Sequence, residues 1–351
     1  MKVLVPTVYD TRGGSTRVLL ASAAALRAEH RVVVRAPLAE ADDPAPALFP
    51  SRPLVGLWRK LAVLPRLGRL VLREAVALRR LRPDLVHVHD EPSLYVYGLA
   101  ARLVRPRPRI LWHLHLDPSR GRLAALRGRL ADACITISSH ISAPTGLPAS
   151  LIRNPLTLPD AIPEAAHDPL SSMAVVGAIY PQKGQDLAIH ALAALRRDPA
   201  GGGARLTLIG PELDAAYAAR LRATIHALGL TAAVDFAGPR APARAFEGVG
   251  LALFPSRSEI QPLALAEALA RGLPVVASDI PAHRVMIAET GGDPRGLCRE
   301  DAEAMASALL DAASAAPPAG LAQRVRDLYS PHTFATDLLA LYRTIAPRAR
   351  S

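Results

Sequence analysis

LALFPSRSEIQPLALAEALARGLPVVAS, residues 251–278, is the stretch on which the fold turns. LALFPS is a short apolar run ending beside Pro255, and it predicts a buried parallel strand. SRSEIQ is polar and predicts the loop at the carboxyl end of that strand. Pro262 then opens a helix, since a missing N–H costs nothing at the first helical position. PLALAEALAR is dense in helix formers, Gly272 stands where a left-handed cap belongs, and PVVAS predicts the next strand. The unit is strand, loop, helix, strand, and ligands of open α/β sheets bind beyond the carboxyl ends of the strands.

Two carboxylates fall in this unit, Glu259 in the loop and Glu267 in the helix. The amides of Leu263 and Ala264 would be the first in the helix, unpaired and at its positive end, where a phosphate is stabilised. Acids would repel that phosphate, so the pair is expected to face hydroxyl-rich parts of the ligand. A nucleotide sugar carries such hydroxyls on both its sugar and its ribose.

The run Ser256, Glu259, Pro262, Leu263, Glu267, Ala268, Ala270, Gly272, Pro274, Val275, Val276, Ala277 and Ser278 resembles the E-x7-E signature of family 4, the retaining group 1 glycosyltransferases of GT-B fold. Ile260 and Gln261 stand where that signature usually has Gly-Phe. The resemblance implies α/β architecture: two Rossmann-like doubly wound domains facing each other across a cleft.

The chain has 351 residues, half of them hydrophobic and 21% charged, which is globular and long enough for two domains. No apolar run reaches the roughly 18–20 residues that span a bilayer, and MKVLVPTVYD reads as a first strand rather than a signal peptide. Cys134 and Cys298 have no metal-ligand spacing and read as buried thiols. A cytoplasmic protein is expected. Of 42 basic and 31 acidic residues, 23 and 11 lie in residues 1–150, so the first half carries the whole net charge of +11. That favours anionic partners. Nucleic acid ranks last among them, since aromatic residues are only 4% of the chain.

After the first strand, Gly13 and Gly14 precede a helix over 15–29 with Ser15 as its cap, where a backbone can approach a phosphate. This loop is similar to the family's N-terminal glycine loop, which faces the donor. Residues 54–82 predict two basic helical segments broken at Pro65, with Arg66, Arg69, Arg73 and Arg80 on one face. They offer a candidate contact with an anionic membrane surface, making the protein peripheral at the inner face. His87 and His89 share one face of a strand, but spacing ties no third ligand to them, so no metal is expected. In RILWHLHLDPSRG, His113 is expected to pack. By resemblance, His115 is the histidine that sits near the sugar.

Residues 155–171, rich in proline and alanine, predict a linker, after which strands and helices alternate again. The expected division is 1–160, an acceptor-binding domain; 161–330, a nucleotide-sugar-binding domain; and 331–351, a helix packing back on the first. VVGAIYPQKGQDLAIHAL resembles the family's donor loop through Gly177, Lys183, Gly184 and Ala191, with Ala178 where an arginine is usual. Lys183 is one of three lysines among 39 arginines, and a compact ammonium there neutralises a departing diphosphate. Arg257 and Arg240 are the candidates to replace the missing arginine. Gly210 and Gly238 end strands on the same crevice and are implied to wall the base.

Together these features lead to a retaining, metal-independent transfer of a sugar from a nucleotide sugar, UDP-linked by preference, to an acceptor hydroxyl. The catalytic candidates are Glu259, His115 and Lys183. The donor-binding candidates are Gly13, Gly14, Lys183, Gly210, Gly238, Gln261, Pro262, Leu263, Ala264 and Glu267. No cofactor is expected beyond the donor. The acceptor is open between a lipid-linked molecule, a glycan and a small natural product. The alternative is a GT-B protein that binds nucleotide sugar without transferring it, epimerase-like or decayed.

Overall fold

A computed structural model describes residues 1–8, 14–45, 57–117, 124–144, 146–156, 158–159 and 168–345, with the helical backbone alone at 57–66, 124 and 125. Gly13 and residues 54–56 of the basic segment lie outside the described residues. The chain divides into two units, Met1–Pro155 with Pro331–Ser351, and Leu156–Ser330.

Unit 1 contains β1 (Lys2–Pro6), α1 (Gly14–Leu26), β2 (Arg31–Ala36), β3 (Asp43–Pro44), α2 (Leu57–Leu81), β4 (Leu85–Val88), α3 (Glu91–Ala100), β5 (Arg109–Leu114), α4 (Ala124–Leu130), β6 (Ala133–Thr136) and β7 (Ala149–Leu151). Its seven strands are parallel in the order β3-β2-β1-β4-β5-β6-β7. Val3 pairs with Val32 on one side of β1 and with Leu85 on the other. The strands are short apolar runs because helices cover both faces of a parallel sheet. β1 thus lies between β2 and β4, parallel to both.

Two sequence expectations need correction here. α1 begins at Gly14, so Ser15 lies inside the first turn rather than capping it. α2 runs unbroken through Pro65. A proline removes one hydrogen bond from a helix interior, but a helix-rich flank on each side and a packed apolar face can outweigh that loss. α2 packs through Val71, Ala75 and Leu78, which are buried. Glu74, 1% exposed, turns inward as well and receives Arg35 Nε at 2.6 Å, Arg73 Nη2 at 2.8 Å and the Tyr97 hydroxyl at 2.8 Å.

Unit 2 contains β8 (Met173–Val176), α5 (Gln185–Leu195), β9 (Leu206–Ile209), α6 (Ala215–Ala227), β10 (Val234–Gly238), β11 (Leu251–Phe254), α7 (Leu263–Leu269), β12 (Val275–Ser278), α8 (Pro281–Thr290), β13 (Leu297–Cys298), α9 (Ala302–Ser314) and α10 (Leu321–Leu328). The order β10-β9-β8-β11-β12-β13 is again wholly parallel. The final helix, α11 (Pro331–Ile345), belongs to unit 1, where Phe334, Leu338 and Tyr342 complete the core around Val3, Val5 and Leu26. Strand order reverses between β1 and β4 in unit 1 and between β8 and β11 in unit 2. Such a reversal leaves a crevice at the carboxyl ends of the two strands.

Candidate functional site

In unit 2 the loops leaving β8 and β11 meet at that reversal. The first makes a single turn, Pro181–Lys183, and ends on Gly184 with φ +69°. A Cβ on Gly184 would stand 1.9 Å from the Pro255 carbonyl oxygen, so only glycine lets the loops come this close. The loops are then laced together. The Arg257 N–H donates to the Gln182 carbonyl at 2.9 Å, and Gln182 Nε2 donates to the Ser258 carbonyl at 3.2 Å. The Arg257 guanidinium binds the Pro181 carbonyl at 2.6 Å and both carboxylate oxygens of Asp186 at 3.0 and 2.7 Å. The Tyr217 hydroxyl donates to Asp186 at 2.6 Å from the far side.

On this frame Lys183 Nζ lies 2.5 Å from Glu259 Oε1, which also accepts from Ser256 Oγ at 2.9 Å. The lysine stem crosses Gly177, where an added Cβ would touch it at 3.7 Å. The pair is part-exposed, 23% for Lys183 and 15% for Glu259. It presents an ammonium to anions and a carboxylate to hydroxyls from one spot, and each charge holds the other in place without a ligand.

Around this pair the remaining residues fall as follows. The Leu263 amide is not free, since it donates to the Gln261 carbonyl at 2.9 Å. Pro262, at φ −76° and ψ 79°, makes this an inverse γ-turn ahead of a helix that starts at Leu263. That corrects the expectation of a phosphate-binding Leu263 amide: proline's fixed φ allows the tight turn, and the turn consumes the donor. Ala264 follows within the first turn of α7, and Glu267, 9% exposed, sits one turn further. Gly177, Gly210 and Gly238 end adjacent strands, with Gly177 N–H bonded to Ile209 and Gly210 N–H to Gly238, each at 2.9 Å. Gly210 has φ +156°, and a Cβ there would stand 2.1 Å from the Gly177 carbonyl. Arg257 is bound to the very loop that carries Lys183, whereas the Arg240 guanidinium donates to the Glu247 carbonyl at 3.2 Å.

Asp186, in the first turn of α5, and Tyr217, on α6, are supports that no sequence motif marks. His283 on α8 is buried with Nδ1 2.8 Å from the Ser278 carbonyl. Burial lowers its pKa, against the Ser278 carbonyl bond and the Glu259 charge, which raise it.

In unit 1 the corresponding crevice carries Asp90, the N-cap of α3. It accepts from Ser93 N–H and Oγ at 2.7 Å each and from Thr7 Oγ1 at 3.0 Å. Burial outweighs these bonds and raises its pKa. His115 belongs to this unit, its Nε2 3.3 Å from His89 Nδ1. Burial pushes the His115 pKa down to about 4, so the ring is neutral at pH 7. The structure thus brings Lys183, Glu259, Pro262, Ala264, Glu267 and the strand-end glycines into one unit, with His115 and Gly14 in the other.

Residues 12–145 match the family described as Glycosyltransferase Family 4, and residues 171–315 match the one described as Glycosyl transferases group 1. The chain belongs to the group 1 glycosyltransferases. Among solved structures, Anabaena HepE in complex with UDP and glucose superposes with a TM-score of 0.73 at 20% identity, over 98% of this chain and 100% of that one. The GT-B fold, two parallel-sheet Rossmann-like domains, is therefore shared. A D-inositol 3-phosphate glycosyltransferase of Rhodococcus opacus is 35% identical over 178 residues, 48% of this chain and 40% of that protein. An exopolysaccharide phosphotransferase of Streptomyces coelicolor is 33% identical over 159 residues, 43% of this chain and 16% of that protein. The matched segments thus span less than half the length of either curated relative.

Proposed function

We propose that this group 1 family member is a retaining, metal-independent glycosyltransferase that moves a sugar from a UDP-sugar to an acceptor hydroxyl. The observation that carries this reading is the Lys183–Glu259 pair at 2.5 Å, held over the strand-order reversal of unit 2. Lys183 would turn from Glu259 to the diphosphate as the donor enters, and Glu259 would take sugar hydroxyls in exchange. Glu267 would hold the ribose, Gly210 and Gly238 would flank the base, and the Ala264 amide would add a donor to the phosphates. In the transfer, the bond from the sugar's anomeric carbon to the phosphate oxygen breaks. The acceptor oxygen bonds to the same face of that carbon, and its proton passes to the leaving phosphate. His115, neutral, would orient the sugar by hydrogen bonding rather than by charge. UDP is favoured because HepE, similar across the whole chain, was solved with UDP and glucose.

The test is a thermal-shift panel of UDP, GDP, ADP and dTDP on the wild type, Lys183→Ala and Glu267→Ala. A shift with UDP alone, absent from both variants, is expected. Silence with every nucleotide would overturn the reading. Ala178, where the family has arginine, favours a second reading, a nucleotide-sugar binder without transfer; donor hydrolysis in the absence of acceptor separates the two.

The partners proposed are the nucleotide sugar and an anionic, membrane-bound acceptor. α2 supports this by presenting Leu72 and Val76, each 63% exposed, beside exposed Arg69, Arg79 and Arg80. No helix among the described residues is long and apolar enough to cross a membrane. Cys134 and Cys298 are buried free thiols, which suits a cytoplasmic setting.

A further inference from the structure

β4 and β5 are neighbours in unit 1, and their carboxyl ends collect four imidazoles that no motif links. The His87 ring centroid lies 4.3 Å from that of His89 and 5.5 Å from that of His113, and His89 and His113 are 4.7 Å apart. His115 stacks on His113 at 4.6 Å. His87, His89 and His113 are at most 1% exposed. One ring nitrogen from each of these three lies within 4.8 Å of the other two, and no other such group occurs among the described residues.

We propose that His87, His89 and His113 form a binding site for a borderline divalent transition ion, zinc above all. The free valences point that way. His87 Nε2 and His89 Nε2 are buried without a hydrogen-bond partner, and His113, whose ring is buried as well, has Asn154 beside it. An ion bound through one nitrogen of each ring removes the penalty of leaving these acceptors unmatched. The outer contacts have the form of a ligand set. His87 Nδ1 is 2.9 Å from the Tyr342 hydroxyl on α11, and His89 Nδ1 is 3.3 Å from His115 Nε2. Each contact orients its ring so that the opposite nitrogen is the one left free. Asn154 lies at the His113 ring. Three imidazoles without a carboxylate suit zinc, cobalt, nickel or copper rather than magnesium or calcium.

Zinc–nitrogen bonds of 2.0–2.1 Å place tetrahedral ligand nitrogens about 3.3 Å apart. The three nitrogens, all within 4.8 Å of one another, would draw in to that spacing around the ion. The ion would pin β4, β5 and α11 together. It touches the donor chemistry proposed above only through His115, the outer contact of His89, and its residues all lie in unit 1.

The test is a titration of the full-length, chelator-stripped protein with Co²⁺. The expected result is one ion per chain with the visible bands of a tetrahedral site, displaced by Zn²⁺, and a melting temperature that rises with Zn²⁺. His113→Asn should weaken binding at least about 100-fold, while His190→Ala and His226→Ala, exposed histidines, should leave it unchanged. Should His113→Asn fail to give a cooperative urea melt, Tyr342→Phe decides, because it leaves all three ligands in place. It should weaken binding about tenfold. No band in the wild type, or undiminished affinity in whichever variant decides, overturns the proposal.

Discussion

Replacing Glu259 by glutamine gives the sharpest test of how Lys183 and Glu259 share their site. The amide keeps the shape and can still accept from Lys183 and Ser256, but the charge is gone. In the wild type a diphosphate must win Lys183 from a carboxylate 2.5 Å away and then lie beside that carboxylate. Two like charges about 6 Å apart repel by about 2–3 kcal/mol at an effective dielectric of 20. Both side chains are part-exposed, so solvent trims this to about 1–2 kcal/mol, or about 5- to 30-fold in affinity. Glu259→Gln should therefore bind UDP about 5- to 30-fold more tightly than wild type while losing transfer. Lys183→Ala, which deletes a charge-assisted bond worth about 1.5–3 kcal/mol, should bind it about 10- to 100-fold more weakly. Isothermal titration of both variants and the double variant closes the cycle. If Glu259→Gln binds UDP no better than wild type, the competition between carboxylate and phosphate does not exist.

Other consequences are as direct. Gly184→Ala forces a Cβ onto the Pro255 carbonyl at a left-handed φ, and should destabilise unit 2 by about 2–4 kcal/mol in urea unfolding. Burial raises the Glu74 pKa, but the bonds from Arg35 and Tyr97 outweigh it and the net shift is downward. Its contribution is thus complete above its unfolded value of about 4.5 and is lost as pH falls below that. Urea melts from pH 6 to 3 should weaken steeply below pH 4.5 in wild type and less so in Glu74→Gln, which should start about 3–5 kcal/mol lower. Vesicles rich in anionic lipid should bind the protein in a salt-dependent way; sedimentation with equal binding to neutral vesicles, or none to either, would remove α2 as a membrane contact.

Much of the fold was legible because parallel strands buried on both faces are written as bare apolar runs, such as VLV at 3–5 and LALF at 251–254. Each sheet reverses its strand order once, between β1 and β4 and between β8 and β11, and the crevices lie there. What stayed hidden were contacts between residues distant in sequence. Lys183 and Glu259 were each identified, but not that they bond to one another across 76 positions. His87 and His89 were visible as a pair, whereas His113 joins them only through the β4–β5 pairing, which places His87 opposite Leu111. The Leu263 amide was misjudged because a proline that starts a helix can also close a γ-turn. Pro65 was read as a break because local propensity weighs one lost hydrogen bond and cannot weigh the packing of Val71, Ala75 and Leu78.

The return of α11 to unit 1 has a consequence in time as well as in space. The polypeptide passes into unit 2 after Pro155 and out of it after Ser330. The two passages run side by side, Leu156 N–H donating to the Tyr329 carbonyl at 2.8 Å. On the ribosome, therefore, the first unit to be started is the last to be finished. Its sheet must wait, with Val3, Val5 and Leu26 lacking Phe334, Leu338 and Tyr342, while the whole of unit 2 is synthesised and free to fold. The half-built unit is the stage at which a chaperone has something to hold.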